Sequence, residues 1–383
     1  MSTPSIRSKF PNMGMNIFTA MNAVATEQNA INLAQGFPNF PCSEKLISLV
    51  DQYMRKGFNQ YCPMPGALAL REAIVEKIQF IYGKSYSPDT EINVTPGGHA
   101  ALMAAVTSVI HPGDEVIIFE PAFDCFAPIV ELNGGVPVYI ELRPPAYKIP
   151  WQEVALKISD KTKAIIINSP HNPSGTVLEE SDMRSLIDLV KNTNIVIISD
   201  EVYEHLIFDG FQHQSVMRYP ELAERSFSIY SFGKVYHVTG WKIGYVVAPK
   251  ELMAEFRKCY QMMTFTVNHP MQLAIAEFLK EKDEYLNLPD FYQKKRDFFL
   301  NGIKNSRFEF TPAKGTYFQS LSYGKIMNAG DMDAAIWFAK NAKVGTVPMS
   351  ALYHNNAEHK VLRVCFAKTE EVLEQAAVRL SRI

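Results

Sequence analysis

The chain contains short runs of apolar, β-branched residues that alternate with segments of helical spacing. These runs are EVIIF at 115–119, KAIIIN at 163–168, NIVIIS at 194–199, SFSIYS at 226–231 and GYVVAP at 244–249. Continuous apolar runs of this length are typical of strands buried on both faces of a sheet. HAALMAAVTSVI from His99 and ESDMRSLIDLVKN from Glu180 have the spacing of helices that cross between such strands. The alternation predicts an α/β fold with a mostly parallel sheet flanked by helices.

Two features depart from simple alternation. The run that ends at Ser231 and the run that opens at Gly244 are too close for a full helix between them, which predicts one antiparallel strand. Beyond about residue 280 the pattern changes to one long helix over 284–306, strand-like FEFTP, TYFQSLS and VLRVCFA, and a last helix from Glu370. We therefore expect a large domain at 46–280 and a smaller α+β domain at 281–383, to which an N-terminal arm at 1–45 contributes.

Composition narrows the class of protein. The 383 residues are 47% apolar and 20% charged, as in an ordinary globular protein, and the net charge of −2 offers no strong attraction to nucleic acid or acidic lipid. The five cysteines are odd in number and widely spaced, which indicates neither a disulfide framework nor a zinc site. No apolar run reaches the roughly 18 residues of a membrane span, and no apolar leader opens the chain. These features favour a cytoplasmic protein without a structural metal.

Polar clusters follow four of the strand-like runs, at the point where each run ends. They are EPAFD at 120–124, SPHNPSG at 169–175, DEVYEH at 200–205 and SFGK at 231–234. Ligands of open α/β sheets bind outside the carboxyl ends of the strands. Each cluster alone is also a common turn or helix cap. Their coincidence favours a binding site.

Seven motifs in order carry a resemblance to a known family: NQY (59–61), TPGGHAAL (95–102), EPAFDCF (120–126), HNPSG (171–175), SDEVYEH (199–205), SFGKVYHVTGWKIGY (231–245) and LRVCFAK (362–368). The chain resembles the fold-type-I, class I pyridoxal-phosphate aminotransferases over nearly its whole length, including INLAQGFPNFP at 31–41. It is most similar to the branch of methionine, kynurenine and glutamine aminotransferases, and within it to the bacterial methionine members. The resemblance implies a pyridoxal 5'-phosphate cofactor and a homodimer with shared active sites.

The resemblance places the catalytic lysine at Lys234. There it would form a Schiff base with the cofactor's aldehyde and then move the α-proton of the substrate, tasks that suit an amine whose pKa is lowered. Lys242 and Ser231 match positions that bind the cofactor's phosphate. A lysine after a strand is more often a solvated surface residue. The serine and the TGWK segment around these lysines favour the reactive interpretation.

Other motif residues match positions that hold the cofactor ring. Asp200 matches the carboxylate that keeps the ring nitrogen protonated, although Glu201 stands beside it. Tyr203 and Asn172 match the residues that hydrogen-bond the ring's phenolic oxygen. Phe123 matches the aromatic residue that stacks on the ring, where ordinary core packing is the alternative.

The remaining matches concern the phosphate and the substrate's carboxylate. Gly98 and His99 stand at the start of a helix, where backbone N–H groups and the helix dipole favour an anion. Arg363 matches the arginine that binds the α-carboxylate, and its alternative is a solvated charge on an edge strand. Tyr61 matches a tyrosine that reaches the phosphate of the neighbouring subunit.

The substrate side is expected to be apolar. The residues that match substrate-contacting positions are Phe18, Gly36, Tyr61, Asn172, Asn268 and Arg363. Phe18 and Asn268 replace a tryptophan and a histidine of some relatives, which suits methionine first and aromatic amino acids next. No second arginine is evident for a distal carboxylate, so aspartate is disfavoured.

The predicted activity is therefore ping-pong transamination of an apolar or aromatic amino acid, with methionine first, to its 2-oxo acid. A cysteine-conjugate β-lyase on the same fold is one alternative. A non-catalytic, aminotransferase-like effector domain is another, although the chain has no room for the DNA-binding helices such regulators carry. The resemblance also predicts a cis peptide bond between Asn172 and Pro173, against the low frequency of cis bonds before proline.

Overall fold

The computed structural model describes residues 5–11 and 13–383. Its β-strands are β1 Ile31–Asn32, β2 Ile92–Thr95, β3 Glu115–Glu120, β4 Val136–Glu141, β5 Thr162–Asn168, β6 Val196–Asp200, β7 Ser226–Ser231, β8 Gly244–Val247, β9 Phe318–Ser322, β10 Val344–Gly345, β11 Val347–Pro348 and β12 Val361–Cys365.

The α-helices of these residues are α1 Ile17–Glu27, α2 Glu44–Arg55, α3 Leu68–Tyr82, α4 Gly98–Val109, α5 Phe126–Leu132, α6 Trp151–Lys157, α7 Glu180–Val190, α8 Pro220–Ala223, α9 Phe232–Val235, α10 Lys250–Met263, α11 His269–Phe278, α12 Asp283–Leu286, α13 Leu288–Ile303, α14 Asp331–Trp337 and α15 Glu370–Leu380. None of them combines the length and the apolar character that a membrane crossing needs.

The largest sheet of the described chain has seven strands in the order β2-β8-β7-β6-β5-β3-β4. All neighbours are parallel except β8, which runs antiparallel to both β7 and β2. The predicted α/β fold with one antiparallel strand is confirmed. The central strands β6 and β7 are buried almost throughout, as their unbroken apolar runs require.

A smaller antiparallel sheet has the order β11-β12-β9, with Arg363 opposite Ser320. Residues 31–32 of β1 pair in parallel with residues 344–345 of β10, so a segment near the N-terminus lies against the C-terminal part of the chain. The domain boundaries near residues 45 and 280 stay a prediction. Residues 1–4 and 12 of the expected arm lie outside the described residues.

Two predicted elements differ in the structure. The expected long helix over 284–306 is two helices, α12 and α13, because Pro289 has no N–H to donate and stands in the first turn of a new helix. FEFTP at 308–312 is not a strand. Only Glu309 forms a bridge, with Ser322, and Pro312 has no N–H with which to continue a ladder.

Candidate active site

The carboxyl ends of β5, β6 and β7 meet the beginning of α4 around a cavity of about 170 Å³. Nine residues singled out from the sequence line this cavity: Gly98, His99, Phe123, Asn172, Asp200, Tyr203, Ser231, Lys234 and Lys242. Parallel strands bring their carboxyl ends to one edge, so residues far apart in sequence meet there.

Lys234 lies in the single turn α9 directly after β7, with its amine inside the cavity. Its Nζ donates to the hydroxyl of Tyr317 over 3.0 Å and lies 5.4 Å from the centre of the Tyr203 ring. Burial lowers the pKa of Lys234 to about 8, although the charge of Asp200 opposes the shift. A substantial fraction of this amine is therefore neutral near pH 8, which a nucleophile or a proton acceptor requires.

Asp200 and Glu201 point to different surroundings. Glu201 accepts hydrogen bonds from Ser199, Tyr230 and the backbone N–H of Val216 and is paired with His213. Both of its carboxylate oxygens therefore already have hydrogen-bond partners in the protein interior. Asp200 lines the cavity and is 4% exposed. The structure thus separates two carboxylates that are adjacent in sequence.

Burial raises the pKa of Asp200 to about 7. Its Oδ1 accepts from the backbone N–H of Val202 over 3.2 Å, and no arginine or lysine of the described chain forms an ion pair with it. A positively charged group of a bound ligand would stabilise the ionised form of this buried carboxylate.

Asp200 should therefore destabilise the cofactor-free protein at neutral pH. Between its ordinary pKa, about 4, and about 7, the folded state holds a proton that the unfolded state lacks, so stability falls as pH rises through this window. We expect Asp200→Asn to raise the free energy of unfolding at pH 8 by on the order of 2 to 4 kcal/mol, and to change it little at pH 4. Urea unfolding at both pH values measures this.

The matched control is Glu201→Gln, because its carboxylate already has partners. That change should destabilise the protein at pH 8, since it disturbs a satisfied buried network. An Asp200→Asn protein no more stable than the parent at pH 8 would contradict the assignment of a buried, unpaired carboxylate.

The beginning of α4 provides backbone N–H groups at one end of the cavity. No side chain caps this helix, so the N–H groups of its first turn are free to bind an anion. Gly97 has a φ of +81°, and a Cβ there would lie 3.3 Å from Lys242 Nζ, so glycine permits the close approach of this cation. Burial, and then Lys242, lower the pKa of His99, which favours a neutral imidazole.

Asn172 connects the cavity to Arg363. Its Oδ1 accepts from Arg363 Nη1 over 2.9 Å, and its backbone N–H donates to Asn168 Oδ1 over 2.8 Å. Asn168 in turn donates to the carbonyl of Asp200 over 2.9 Å. The predicted cis bond between Asn172 and Pro173 is confirmed. Burial raises the pKa of Tyr203, so its hydroxyl stays protonated and can donate.

Arg363 is not on an edge strand. It lies on β12, the middle strand of the smaller sheet, and is 1% exposed. Its guanidinium carbon is 4.0 Å from the ring centre of Phe318 and 4.7 Å from that of Phe18. Burial lowers the pKa of Arg363 to about 10, and its Nε has no hydrogen-bond partner in the described chain. The solvated alternative is wrong, and the group is suited to an anion that enters from solvent.

Two residues of the site, Tyr317 and Asn168, lie outside the seven motifs. Tyr317 accepts from Lys234 and donates to the carbonyl of Gly36 over 2.7 Å, so it joins the lysine to the predicted substrate side. A Cβ on Gly36 would lie 2.7 Å from the Phe318 ring, which explains the glycine. In the sequence, Asn168 stands out only as the last residue of an apolar run. The residues around Tyr317 contain nothing that marks Tyr317 as part of a site.

A further contact holds the helix that carries Phe18. The side-chain oxygen of Asn16 caps α1 by accepting from the backbone N–H of Phe18 over 2.9 Å. Its amide nitrogen donates to Asp124, the residue after Phe123. One asparagine side chain thus joins α1 to the wall of the cavity.

Five predicted residues do not line this cavity within one chain. Arg363, Phe18 and Gly36 adjoin it through the contacts of Asn172, Arg363 and Tyr317, whereas Tyr61 and Asn268 do not. Tyr61 is 81% exposed and contacts the ring of Phe265. Asn268 caps α11 by accepting from the backbone N–H of Met271 over 3.1 Å. The two lie on neighbouring segments, since Thr266 Oγ1 donates to the carbonyl of Cys62. Their roles stay predictions that require a second copy of the chain.

The fold and the site define a class of enzyme. The family model for class I and II aminotransferases matches residues 28–380, and the chain belongs to this family, whose members depend on pyridoxal phosphate. It is an aminotransferase. The family resemblance seen in the motifs is confirmed.

Similar proteins indicate the branch of the family that the chain most resembles. The chain is 44% identical to the methionine aminotransferase of Escherichia coli, over 98% of each chain. It is 31% identical to a kynurenine–oxoglutarate transaminase of Dictyostelium discoideum, over 97% of this chain and 94% of the relative. A crystal structure from Escherichia coli, described as identifying a methionine aminotransferase function, matches with a TM-score of 0.98 and 43% identity over the whole of both chains.

Proposed function

We propose that this aminotransferase uses pyridoxal 5'-phosphate and prefers methionine as amino donor, with aromatic amino acids next. The observation that supports the preference is the apolar surroundings of Arg363, whose guanidinium lies between the rings of Phe18 and Phe318. A carboxylate bound there leaves the rest of the donor among apolar groups. The described residues that line the cavity include no arginine, and Arg363 adjoins it through Asn172.

The residues of the cavity fit the cofactor. Lys234 would bind its aldehyde carbon, and Asp200 would pair with its ring nitrogen. Lys242, Ser231 and the backbone of Gly98 and His99 would hold the phosphate. Tyr203 and Asn172 would donate to the phenolic oxygen, and Phe123 would cover the ring. When bound, the group supplies an electron sink for the negative charge that develops at the substrate's α-carbon.

The protein's own part is to bind, orient and transfer a proton. Arg363 and Asn172 fix the α-carboxylate, so that the α-hydrogen is directed toward Lys234. The neutral Nζ of Lys234 accepts this proton and later returns it, which its pKa near 8 permits. The 2-oxo acid acceptor presents the same carboxylate to Arg363, so one set of residues performs both halves of a ping-pong reaction.

We also propose a homodimer that completes the site. Tyr61 and Phe265 are exposed aromatic side chains on neighbouring segments, which a second copy would cover. Tyr61 would then reach the phosphate of the neighbouring subunit, and Asn268 its substrate side.

The test is a set of half-reactions without an acceptor. The holoenzyme is mixed with methionine, phenylalanine, leucine, aspartate or glutamate, and the change of the cofactor spectrum is followed. We expect methionine to react fastest and the apolar donors to fall within a few orders of magnitude, because one methylene contact contributes only about 1 to 3 kcal/mol. Aspartate or glutamate as the best donor would overturn the preference. Pyruvate and ammonia released from a cysteine conjugate faster than methionine reacts would indicate the β-lyase instead.

The contact of Asn16 with Asp124 should influence donor preference. Asn16→Ser retains a cap for α1 and removes the bond to Asp124, so Phe18 is held less firmly. We expect kcat/KM for methionine to fall by about 3- to 10-fold relative to that for alanine, the value of one hydrogen bond. Asp124→Asn retains an acceptor for Asn16 and is the matched control. Equal losses for both donors would exclude a role in specificity.

A further inference from the structure

The hydroxyl of Tyr317 has two close partners, and together they fix the direction of its proton. Lys234 Nζ lies 3.0 Å from the hydroxyl oxygen, and the carbonyl oxygen of Gly36 lies 2.7 Å from it. A carbonyl only accepts, so the proton of Tyr317 is directed to Gly36 and the lone pairs of its oxygen remain for Lys234. The hydroxyl of Tyr203 also lies within hydrogen-bond reach. Neither the seven motifs nor the proposed function assigns a role to Tyr317.

The side chain of Tyr317 is held in place by its surroundings. It is fully buried, and the centre of its ring lies 4.9 Å from that of Phe318, 5.2 Å from that of Tyr203 and 5.8 Å from that of Tyr292. The preceding residue, Thr316, has a φ of +64°, in the left-handed region that a β-branched residue rarely adopts. Strained residues of this kind persist where the surroundings hold them and concentrate at functional sites.

The carbonyl that accepts the proton of Tyr317 belongs to a segment, residues 34–37, that is itself fixed. Arg363 donates to the first carbonyl of this segment over 3.0 Å, and Lys368 donates to the second and fourth over 3.3 and 2.7 Å. Tyr317 donates to the third, that of Gly36. Without the hydroxyl of Tyr317 the segment would still have two other anchors, so the effect of its removal should concentrate at Lys234.

The amine of Lys234 has one direct hydrogen-bond partner among the described residues, the oxygen of Tyr317. The other ionisable groups that face this amine come from several elements: Asp200, Tyr203, Lys242, Arg363 and Cys365. A neutral amine has two N–H groups and one lone pair, so an N–H bonded to a fixed oxygen limits the directions in which the lone pair can point. Once the amine has accepted a proton, the same bond becomes charge-assisted and stronger.

We propose that Tyr317 is a positioning residue of transamination, whose fixed oxygen holds one N–H of Lys234 so that the Nζ lone pair is directed at the α-hydrogen of the amino donor. The inference rests on the proposed function, in which Lys234 moves this proton. The α-proton goes to Nζ and returns from it, and the electron pair of the C–H bond stays with the substrate. Tyr317 neither gains nor loses a proton, because its own is bonded to Gly36.

The first measurement is the half-reaction of the holoenzyme with methionine and with methionine deuterated at the α-carbon, followed by rapid mixing through the cofactor spectrum. In Tyr317→Phe we expect the rate to fall by about 3- to 30-fold, the effect of one hydrogen bond that orients a reacting group. The isotope effect should stay as large as in the parent or rise, because the slowed step is the proton transfer itself.

The matched control is Tyr292→Phe. It makes the same change in a fully buried ring that packs against Tyr317, but the hydroxyl of Tyr292 has no hydrogen-bond partner in the described chain. Its rate and isotope effect should therefore equal those of the parent.

The second measurement does not depend on turnover. The holoenzyme is treated with methionine, which should free Lys234 from the cofactor, then separated from the excess and labelled with acetic anhydride at a series of pH values. This reagent acetylates neutral amines, so the pH midpoint of Lys234 acetylation, read by peptide mass spectrometry, reports the pKa of Lys234. In Tyr317→Phe the ammonium loses its acceptor, and the midpoint should fall by about 0.5 to 1 pH unit. A change that merely admitted water would raise the midpoint instead, because burial is what lowers the pKa of Lys234.

A slower half-reaction with a retained isotope effect and a lower midpoint, in Tyr317→Phe and not in Tyr292→Phe, would support the proposal. An unchanged rate or midpoint in Tyr317→Phe would overturn this inference alone, provided that the parent reacts with methionine. A raised midpoint, a lost isotope effect or equal changes in Tyr292→Phe would do the same. A parent holoenzyme whose cofactor spectrum does not change with methionine would overturn the proposed function, and this inference with it.

Discussion

Replacing Lys234 by alanine is expected to lower the kcat of methionine transamination by at least about 10³-fold. Proton transfer by a positioned side chain contributes typically 10²- to 10⁴-fold, and the same amine is proposed to bind the cofactor covalently. The expectation depends on the buried position of Lys234 and on its pKa near 8. Borohydride treatment of the holoenzyme, followed by peptide mass spectrometry, should place the cofactor's mass on Lys234 alone.

Two matched changes distinguish the role of Lys234 from that of a positive charge. Lys234→Arg keeps the charge, but a guanidinium does not lose its proton near neutral pH, so this variant should be as inactive as Lys234→Ala. Lys242→Ala removes the other lysine of the cavity and should weaken cofactor retention, with activity restored by excess cofactor. Substantial turnover by Lys234→Ala, or a reduced adduct on Lys242, would refute the assignment.

Replacing Arg363 by methionine is expected to weaken every amino donor alike. All donors share the α-carboxylate, and truncating one partner of a buried charge pair costs about 2 to 5 kcal/mol, or roughly 30- to 5000-fold in kcat/KM. The stability of the cofactor-free protein should change much less. Burial already lowers the pKa of Arg363 to about 10, so the folded protein loses an unfavourable charge together with its contacts. Steady-state kinetics with five donors and urea unfolding measure the two effects.

Phe18→Leu is the matched change on the other side of the substrate. Phe18 covers Arg363 without forming a hydrogen bond to it, and it is proposed to contact only the variable part of the donor. It should therefore reorder methionine, leucine and phenylalanine by about 10-fold or more while all donors remain usable. If Arg363→Met affects one donor and spares the others, the carboxylate is bound elsewhere.

The central strands around the site could be predicted because each is a continuous apolar run. Strands β5, β6 and β7, which end at Asn168, Asp200 and Ser231, are buried on both faces, and each leads directly into polar residues. Such a pattern is contained in consecutive residues, so a single sequence displays it. The edge strand β4 was missed, since its residues are only half-buried and its apolar run is interrupted. FEFTP was predicted to be a strand because its residue types favour strands. Whether such a segment pairs depends on residues elsewhere in the fold, and only Glu309 forms a bridge.

Contacts between distant segments were beyond any local pattern. Tyr317 lies 83 residues from Lys234 and 281 from Gly36, yet its hydroxyl joins them. Asn16 and Asp124 are 108 residues apart. A tyrosine or an asparagine carries no mark of such a partner in its neighbours along the chain.

The sequence by itself determined the buried strands, their mixed direction, and the polar residues that follow each strand end, because hydrophobic periodicity and strand–loop order are properties of consecutive residues. Only the tertiary structure showed that Glu201 has its partners in the interior while Asp200 enters the cavity, that Arg363 is buried between two rings, and that burial lowers the pKa of Lys234 to about 8. The physical reason is desolvation. The cost of a charge depends on everything packed around it, and at Lys234 and Arg363 most of that packing comes from residues far away in the chain.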